Sequence, residues 1–288
     1  MAVPVYRICN VLLPEEKRKD PAARKDAINS ADIAFLCLPD AAAIEAVSLA
    51  ENPAVKIIDT STAHRTDPNW VYGMPELAGQ TEKILASSRI ANPGCHASGF
   101  VALVAPLVQA GILQADTALS CFSLTGYSGG GKKMIAQYES ADKEADLFAP
   151  CPYGMGQGHK HLPEMAKICG LNYDPVFCPI VADFPCWMEV TVPLFASQIK
   201  GNIDDIRALF QSYYAQGLVR YSDETDADGL LSAAAWSGRD DMQVSVHGNE
   251  DRILLIARYD NLGKGASGAA IQNMNIMLGI DETTGLNI

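Results

Sequence analysis

Asp32-Ile33-Ala34-Phe35-Leu36-Cys37-Leu38-Pro39 is a short, nearly continuous apolar run, the pattern of a strand buried on both faces of a sheet. Asp40 is placed to cap the next segment, 41–50, whose Ala, Glu and Leu content predicts a helix. A second strand, Val55-Lys56-Ile57-Ile58-Asp59, runs into the polar loop Thr60-Ser61-Thr62-Ala63-His64-Arg65. Strand, helix, strand and polar loop in that order predict an open α/β sheet. Such sheets bind ligands at the carboxyl edge of their strands.

Further along, 88–91 reads as another short strand and Asn92-Pro93-Gly94 as a turn. Ala97 to Gln109 reads as a helix, interrupted by Pro106 and closed by Gly111. Beyond it the pattern changes. Segments 117–124, 175–182, 186–194, 242–247 and 251–259 are strand-like, several of them alternating, and 202–216 predicts a helix. The strands flanking His247-Gly248-Asn249-Glu250 predict a hairpin. A mainly antiparallel second domain over 96–262 is expected, with the apolar helix Ser267 to Leu278 returning to the first domain.

Composition narrows the function classes. The 288 residues are 48% hydrophobic and 19% charged, the balance of a compact soluble protein. A net charge of −12 disfavours nucleic acid or an anionic membrane surface as partner, while a small phosphorylated metabolite remains compatible. No apolar stretch reaches the roughly 18 residues of a membrane span. Met1 to Asn10, followed by Pro14-Glu15-Glu16-Lys17-Arg18-Lys19-Asp20, matches neither a signal nor a transit peptide, so a cytoplasmic protein is expected. Eight cysteines, several in apolar runs, are expected to be reduced, and no close Cys-x-x-Cys pair offers a structural zinc site.

Asn92-Pro93-Gly94-Cys95-His96-Ala97-Ser98-Gly99 carries the clearest chemical signal. A cysteine between a tight turn and a helix meets unpaired helix N–H groups and the positive end of the dipole, which favour a thiolate. Cys95 alone has this setting; a small core residue is the alternative reading. Gly158-His159-Lys160-His161-Leu162-Pro163-Glu164 offers the proton-handling partner. If the stretch before Pro163 is extended, His159 and His161 point the same way, suited to acid–base work. Metal binding is the rival reading but lacks a third ligand at zinc spacing, so no metal is expected. One packed and one surface histidine is the plainer alternative.

Two glycine-rich stretches follow strands. Gly126-Tyr127-Ser128-Gly129-Gly130-Gly131-Lys132-Lys133 does not fit a Walker A loop, yet its consecutive N–H groups and lysines can cradle an anion or close over a nicotinamide ring. A plain flexible loop is the alternative. Asn261 to Ala270, with glycines at 263, 265 and 268, has the same character just ahead of a helix.

Taken in order, these stretches resemble N-acetyl-gamma-glutamyl-phosphate reductases of the shorter type, relatives of aspartate-semialdehyde dehydrogenase in arginine biosynthesis. The residues that carry the resemblance are 14–20, 34–40, 59–65, 91–96, 126–132, 159–164 and 260–275, and the similarity runs from about residue 11 to 280. It implies an α/β nucleotide-binding, Rossmann-like domain, residues 1–95 plus 263–288 and incomplete at its N-terminus. It also implies an α+β catalytic and oligomerisation domain, residues 96–262, with a mainly antiparallel sheet.

The resemblance implies that Cys95 is the nucleophile, His159 the acid–base group and His161 its neighbour in substrate or proton handling. Ser61, Thr62 and Arg65 would lie near the cofactor or the substrate phosphate, and Gly129, Gly130, Gly131 and Asn275 along the nicotinamide side. It further implies NADP(H) as cofactor, an acyl phosphate as substrate and a homodimer or homotetramer. The reaction expected is reduction of N-acetyl-glutamyl phosphate to the semialdehyde through a cysteine thioester. Reduction of another acyl phosphate such as aspartyl phosphate, a Cys–His hydrolase and an inactive binding or assembly subunit are the alternatives.

One family feature is not found. The family opens with a strand, a Gly-x-x-Gly-x-x-Gly loop that admits the dinucleotide pyrophosphate, and a helix. Here the first glycine is Gly73, and Val3 to Leu13 aligns with the family's second strand. The expectation is a chain that begins late or a weakened relative, with weak NADPH binding; a divergent enzyme holding its cofactor by the remaining loops is the alternative.

Overall fold

The computed structural model describes residues 12–288, so most of the strand expected over Val3 to Leu13 lies outside the described residues. The first described helix, α1 (Pro21–Ser30), starts where Asp20 accepts a hydrogen bond from the Ala22 N–H and Pro21 occupies the first turn. It leads to a four-stranded parallel sheet of β1 (Ile33–Leu36), β2 (Lys56–Asp59), β3 (Val71–Tyr72) and β4 (Arg89–Ala91), in the order β1-β2-β4-β3. Helices α2 (Asp40–Ser48) and α3 (Gln80–Ala86) make the crossovers.

Two local expectations change here. Phe35 on β1 is 41% exposed, because β1 pairs with β2 on one side and has no second neighbour among the described residues. Asp40 does not cap α2; it sits in the helix's first turn with Pro39 at the cap. Its carboxylate accepts hydrogen bonds from the Thr62 N–H at 2.9 Å and hydroxyl at 2.5 Å, tying the start of α2 to the loop after β2.

From β4 the chain turns through Asn92-Pro93-Gly94 into α4 (Cys95–Gln109), which has twelve buried residues. The helix continues through Pro106, which cannot donate to the Ala102 carbonyl one turn back. The Tyr214 hydroxyl donates to that carbonyl instead, at 2.6 Å. This external donor replaces the lost bond, so the proline does not orphan a buried acceptor.

Next come β5 (Ser120–Gly126), α5 (Gly131–Tyr138), β6 (Cys151–Pro152), α6 (Leu162–Cys169), β7 (Val176–Ala182) and β8 (Met188–Phe195). They are followed by α7 (Ile203–Tyr213), β9 (Val219–Tyr221), β10 (Met242–Gly248) and β11 (Arg252–Tyr259). The strands form a seven-stranded sheet ordered β6-β7-β5-β8-β11-β10-β9. Four of its pairings are antiparallel, β10 and β11 forming the hairpin, while β5–β7 and β9–β10 are parallel.

Alternation decides which face is covered. Met188, Val190, Val192 and Leu194 of β8 point into one core with Phe100, Leu103, Val104 and Leu107 of α4. Each such buried side chain contributes about 1.5–3 kcal/mol relative to exposure. The opposite face leaves Phe122 and Leu254 partly open. The last helix, α8 (Gly268–Met277), packs Ala270, Ile276 and Met277 against Ile58, Ile84 and Ile90 of the parallel sheet region. No helix among the described residues is long and apolar enough to cross a membrane.

Candidate active site

Cys95 is the first residue of α4 and is half-buried at the carboxyl edge of β4. The turn before it is tightly roofed. A Cβ built on Gly94 would lie 2.4 Å from Arg65 Nη1 and 2.5 Å from His161 Nε2, so glycine is needed for both side chains to approach the peptide. Arg65 reaches there from the β2 loop, donating to the carbonyls of Asn92 at 2.9 Å and Thr60 at 2.8 Å and to Glu164 at 3.1 Å.

Glu164, on the first turn of α6, is the buried hub. Its carboxylate accepts from the Gly94 N–H at 2.8 Å and the Tyr72 hydroxyl at 2.7 Å as well as from Arg65. The ion pair with Arg65 therefore locks the parallel sheet, the Cys95 turn and α6 together. At the other end of the helix's first turn, the Tyr259 hydroxyl donates to the Cys95 carbonyl at 2.6 Å and accepts from the Gly99 N–H at 3.0 Å. It bridges two groups one helical turn apart and so braces the first turn of α4 around the cysteine. A Cβ at Gly99 would lie 2.7 Å from that hydroxyl.

The segment before Pro163 is not extended. His161 has helical φ/ψ at the cap of α6, and its N–H donates to His159 Nδ1 at 3.2 Å. The turn still brings the rings together, with centroids 4.8 Å apart and edge to face. His96 lies against both, at 5.5 Å from His159 and 5.6 Å from His161. His161 is buried and its Nδ1 has no hydrogen-bond partner among the described residues, whereas His159 is half-exposed.

Burial governs the protonation of this group. It pushes His161 well below the usual histidine range, aided by His96 and Arg65, and lowers His159, aided by Lys160. His96 is pushed down to about 3. Burial also pushes the Cys95 thiol up, against the opposing pull of Arg65, the His96 N–H and Lys160. This differs from the thiolate expected at a helix N-terminus, because desolvation of the charged form outweighs the nearby donors. The resting site thus pairs a thiol with neutral imidazoles, the state in which an imidazole can accept the thiol proton.

Cys95, His159, His161 and Arg65 line one cavity of about 490 Å³, and Gly129, Gly130 and Gly131 form its far wall. Ser61 and Thr62 do not line it. Ser61 is buried with its hydroxyl on Asp59 at 2.7 Å, and Thr62 is held by Asp40. Asn275 is also outside, its amide donating to the carbonyls of Glu282 and Thr284. Asn273, two residues earlier, donates to Gly73 O and to Asn92 Oδ1, and so braces the turn before Cys95. Lys264 of the second glycine-rich stretch is buried in an ion pair with Glu76 at 2.6 Å rather than offered to an anion.

Glu164, Tyr259, Asn273, His96 and Tyr153 were not singled out by the sequence. Glu164 and His96 lay inside quoted stretches, Glu164 three residues after His161 on what became one helical turn. Tyr259 gave no local signal, since its role depends on a contact 164 residues away.

Residues 12–85 match the model of the semialdehyde dehydrogenase NAD binding domain, and residues 95–261 that of the semialdehyde dehydrogenase dimerisation domain. An N-acetyl-gamma-glutamyl-phosphate reductase of Brucella ovis is 45% identical over 279 residues, covering 93% of this chain and 90% of the relative. The chain belongs to the N-acetyl-gamma-glutamyl-phosphate reductase family of semialdehyde dehydrogenases. The Burkholderia cenocepacia member is 43% identical, covering 93% of this chain and 88% of its own length. Among solved structures, aspartate semialdehyde dehydrogenase II of Vibrio cholerae aligns with a TM-score of 0.67 at 17% identity, covering 87% of this chain and 81% of that one. The Francisella tularensis enzyme aligns at 0.68 and 15%, covering 88% and 84%. Family membership makes the chain an oxidoreductase with a nucleotide-binding domain of Rossmann type and a dimerisation domain.

Proposed function

We propose that this chain reduces N-acetyl-γ-glutamyl phosphate to N-acetyl-glutamate semialdehyde and phosphate with NADPH, through a thioester on Cys95. The observation that carries the reading is Cys95 at the mouth of a helix, inside a cavity shared with His159, His161 and Arg65. The neutral histidine pair accepts the Cys95 proton as sulfur attacks the acyl carbon; His161 is the inner ring and His159 the one that exchanges with solvent. The unpaired N–H groups of the first turn of α4 face the developing oxyanion. Arg65, oriented by Glu164, supports negative charge on sulfur, on the oxyanion and on the leaving phosphate. Phosphate departs and the thioester remains, more open to reduction than an oxygen ester. The protonated histidine then returns its proton as the thiohemiacetal collapses to aldehyde and free thiol.

The glycine-rich wall is compatible with a nicotinamide ring: a Cβ on Gly129 would meet nothing closer than 3.6 Å and one on Gly131 nothing within 4 Å, while Gly130 is backed by Met134 at 2.3 Å. NADPH bound there would supply the hydride. The fold family supports assembly through the dimerisation domain; a homodimer or homotetramer is proposed, in the cytoplasm.

The reverse assay tests the reading. Purified protein with N-acetyl-glutamate semialdehyde, phosphate and NADP⁺ is expected to produce NADPH, and to do so faster than with aspartate semialdehyde. Preference for the aspartyl substrate would redirect the reading to another acyl phosphate. Ester or thioester hydrolysis without nicotinamide would replace it with a hydrolase, and no turnover in either direction would leave a binding or assembly role.

A further inference from the structure

Behind the nucleophile lies a polar chain that the proposed mechanism does not use. His96 is 3% exposed, and its two ring nitrogens have one partner each: Nδ1 lies 2.6 Å from Ser123 Oγ and Nε2 lies 2.8 Å from the Tyr153 hydroxyl. Ser123 is fully buried on β5, and among the described residues its hydroxyl bonds nothing but His96. Tyr153 and Cys95 line the same cavity, and burial, with a further contribution from Cys95, disfavours ionisation of Tyr153.

Hydrogen counting gives this chain a direction. A neutral imidazole donates from one nitrogen and accepts at the other. If Nδ1 carried the hydrogen, it would donate to Ser123 Oγ, and the Ser123 hydrogen would be buried with no acceptor, an arrangement that costs free energy. If Ser123 donates to Nδ1 instead, Nε2–H donates to the Tyr153 oxygen and every buried group is satisfied. The Tyr153 hydrogen then has no protein acceptor among the described residues and is left to point into the cavity. His96, with its pKa pushed down to about 3, stays neutral over any working pH, so this polarity does not reverse.

We infer that Tyr153 is a further catalytic residue, its hydroxyl held as a hydrogen-bond donor toward the reacting carbonyl oxygen by the positioning pair Ser123 and His96. As the Cys95 S–C bond forms, the carbonyl π electrons move to that oxygen, and Tyr153 O–H hydrogen-bonds it without transferring its proton. When the electron pair returns, the C–O bond to phosphate breaks and the hydrogen bond relaxes. The inference rests on the reductase reading for its substrate, whereas the hydrogen-bond polarity of Ser123, His96 and Tyr153 can be tested without turnover.

Two measurements test it. The first is the ¹⁵N spectrum of histidine-labelled full-length protein, with His96 assigned by its loss in a His96→Gln variant. Nε2 of His96 is expected to carry the hydrogen and Nδ1 to be bare; the reverse tautomer would overturn the inference even in an active enzyme. The second is Tyr153→Phe, whose side chain is half-exposed and whose folding is checked by thermal melting. Its kcat is expected to fall about 10- to 100-fold with KM within about twofold of wild type. Unchanged kcat, or a rise in KM alone, would reduce Tyr153 to a wall of the pocket. Absence of wild-type turnover with a correct His96 tautomer would count against the reductase reading and leave the hydrogen-bond chain standing.

Discussion

The helix that carries Cys95 and two helices beside the parallel sheet, α1 and α2, are packed to very different depths. In α4, twelve of fifteen residues are buried, against two of nine in α2 and one of ten in α1. The seven-stranded sheet and α4 share one continuous core, while the parallel sheet is served by two small clusters, one around Ile58, Ile84 and Ile90 and another around Ile28, Leu36 and Val55. Cys95 is thus anchored in the densest part of the molecule, whereas the parallel sheet is thinly covered where α1 and α2 lie, although α8, which also packs on it, has eight of ten residues buried. A polar joint links them: Glu164 on α6 accepts hydrogen bonds from Arg65, Tyr72 and the Gly94 N–H of the other half, beside Tyr72 and Met74, which enter the large core.

The largest effect expected lies on the anchored side. Cys95→Ala removes the nucleophile and should lower turnover by at least about three orders of magnitude while the thermal transition stays near wild type. Activity near that of the parent would break the comparison outright. Glu164→Gln tests the polar bridge. It strips the buried Arg65 of its countercharge, and loss of one partner from a buried pair costs about 3–5 kcal/mol. Denaturant unfolding should show that cost together with reduced kcat; a stability loss under about 1 kcal/mol would mean the bridge does not join the halves.

Core substitutions sharpen the contrast in depth. Leu103→Ala in α4 should cost about 2–5 kcal/mol, whereas Ile44→Ala on α2, 56% exposed, should change stability by no more than about 0.5 kcal/mol. Equal costs would show that the parallel sheet is better packed than its contacts indicate.

The smallest effect is a displacement on the pH axis. Since burial raises the Cys95 thiol above its ordinary 9.0, alkylation of Cys95 by iodoacetamide should still be accelerating as pH rises through that value. The sign follows from the thiolate being the reactive form, which a raised pKa confines to higher pH. A plateau below about pH 8 would show that the donors at the head of α4 outweigh desolvation.

Much of this was readable before any coordinates. Most of the longer strands, the central helix and the β10–β11 hairpin announced themselves through apolar runs and period-two alternation, whereas the short β3, β6 and β9 did not, and Asn92-Pro93-Gly94-Cys95 marked a cysteine at the start of a helix by its turn chemistry. The misreadings share a cause. Asp40 looked like a cap because local sequence cannot show that Thr62, twenty-two residues on, competes for its carboxylate. His159 and His161 look paired by strand geometry, yet they meet through a helical turn. Cys95 was read as ionised because the helix N-terminus is a local feature, while the burial that opposes it is assembled from β4, α6 and the glycine-rich loops.

The account depends on an acyl group resting on one sulfur. Protein incubated with N-acetyl-glutamate semialdehyde and NADP⁺ without phosphate should stall after oxidation, and mass spectrometry of the acid-quenched, digested sample would locate the adduct. An N-acetyl-glutamyl mass increase on the peptide containing Cys95, discharged when phosphate is added, is the predicted result. No adduct while NADPH is formed, or an adduct on any other cysteine, would contradict it.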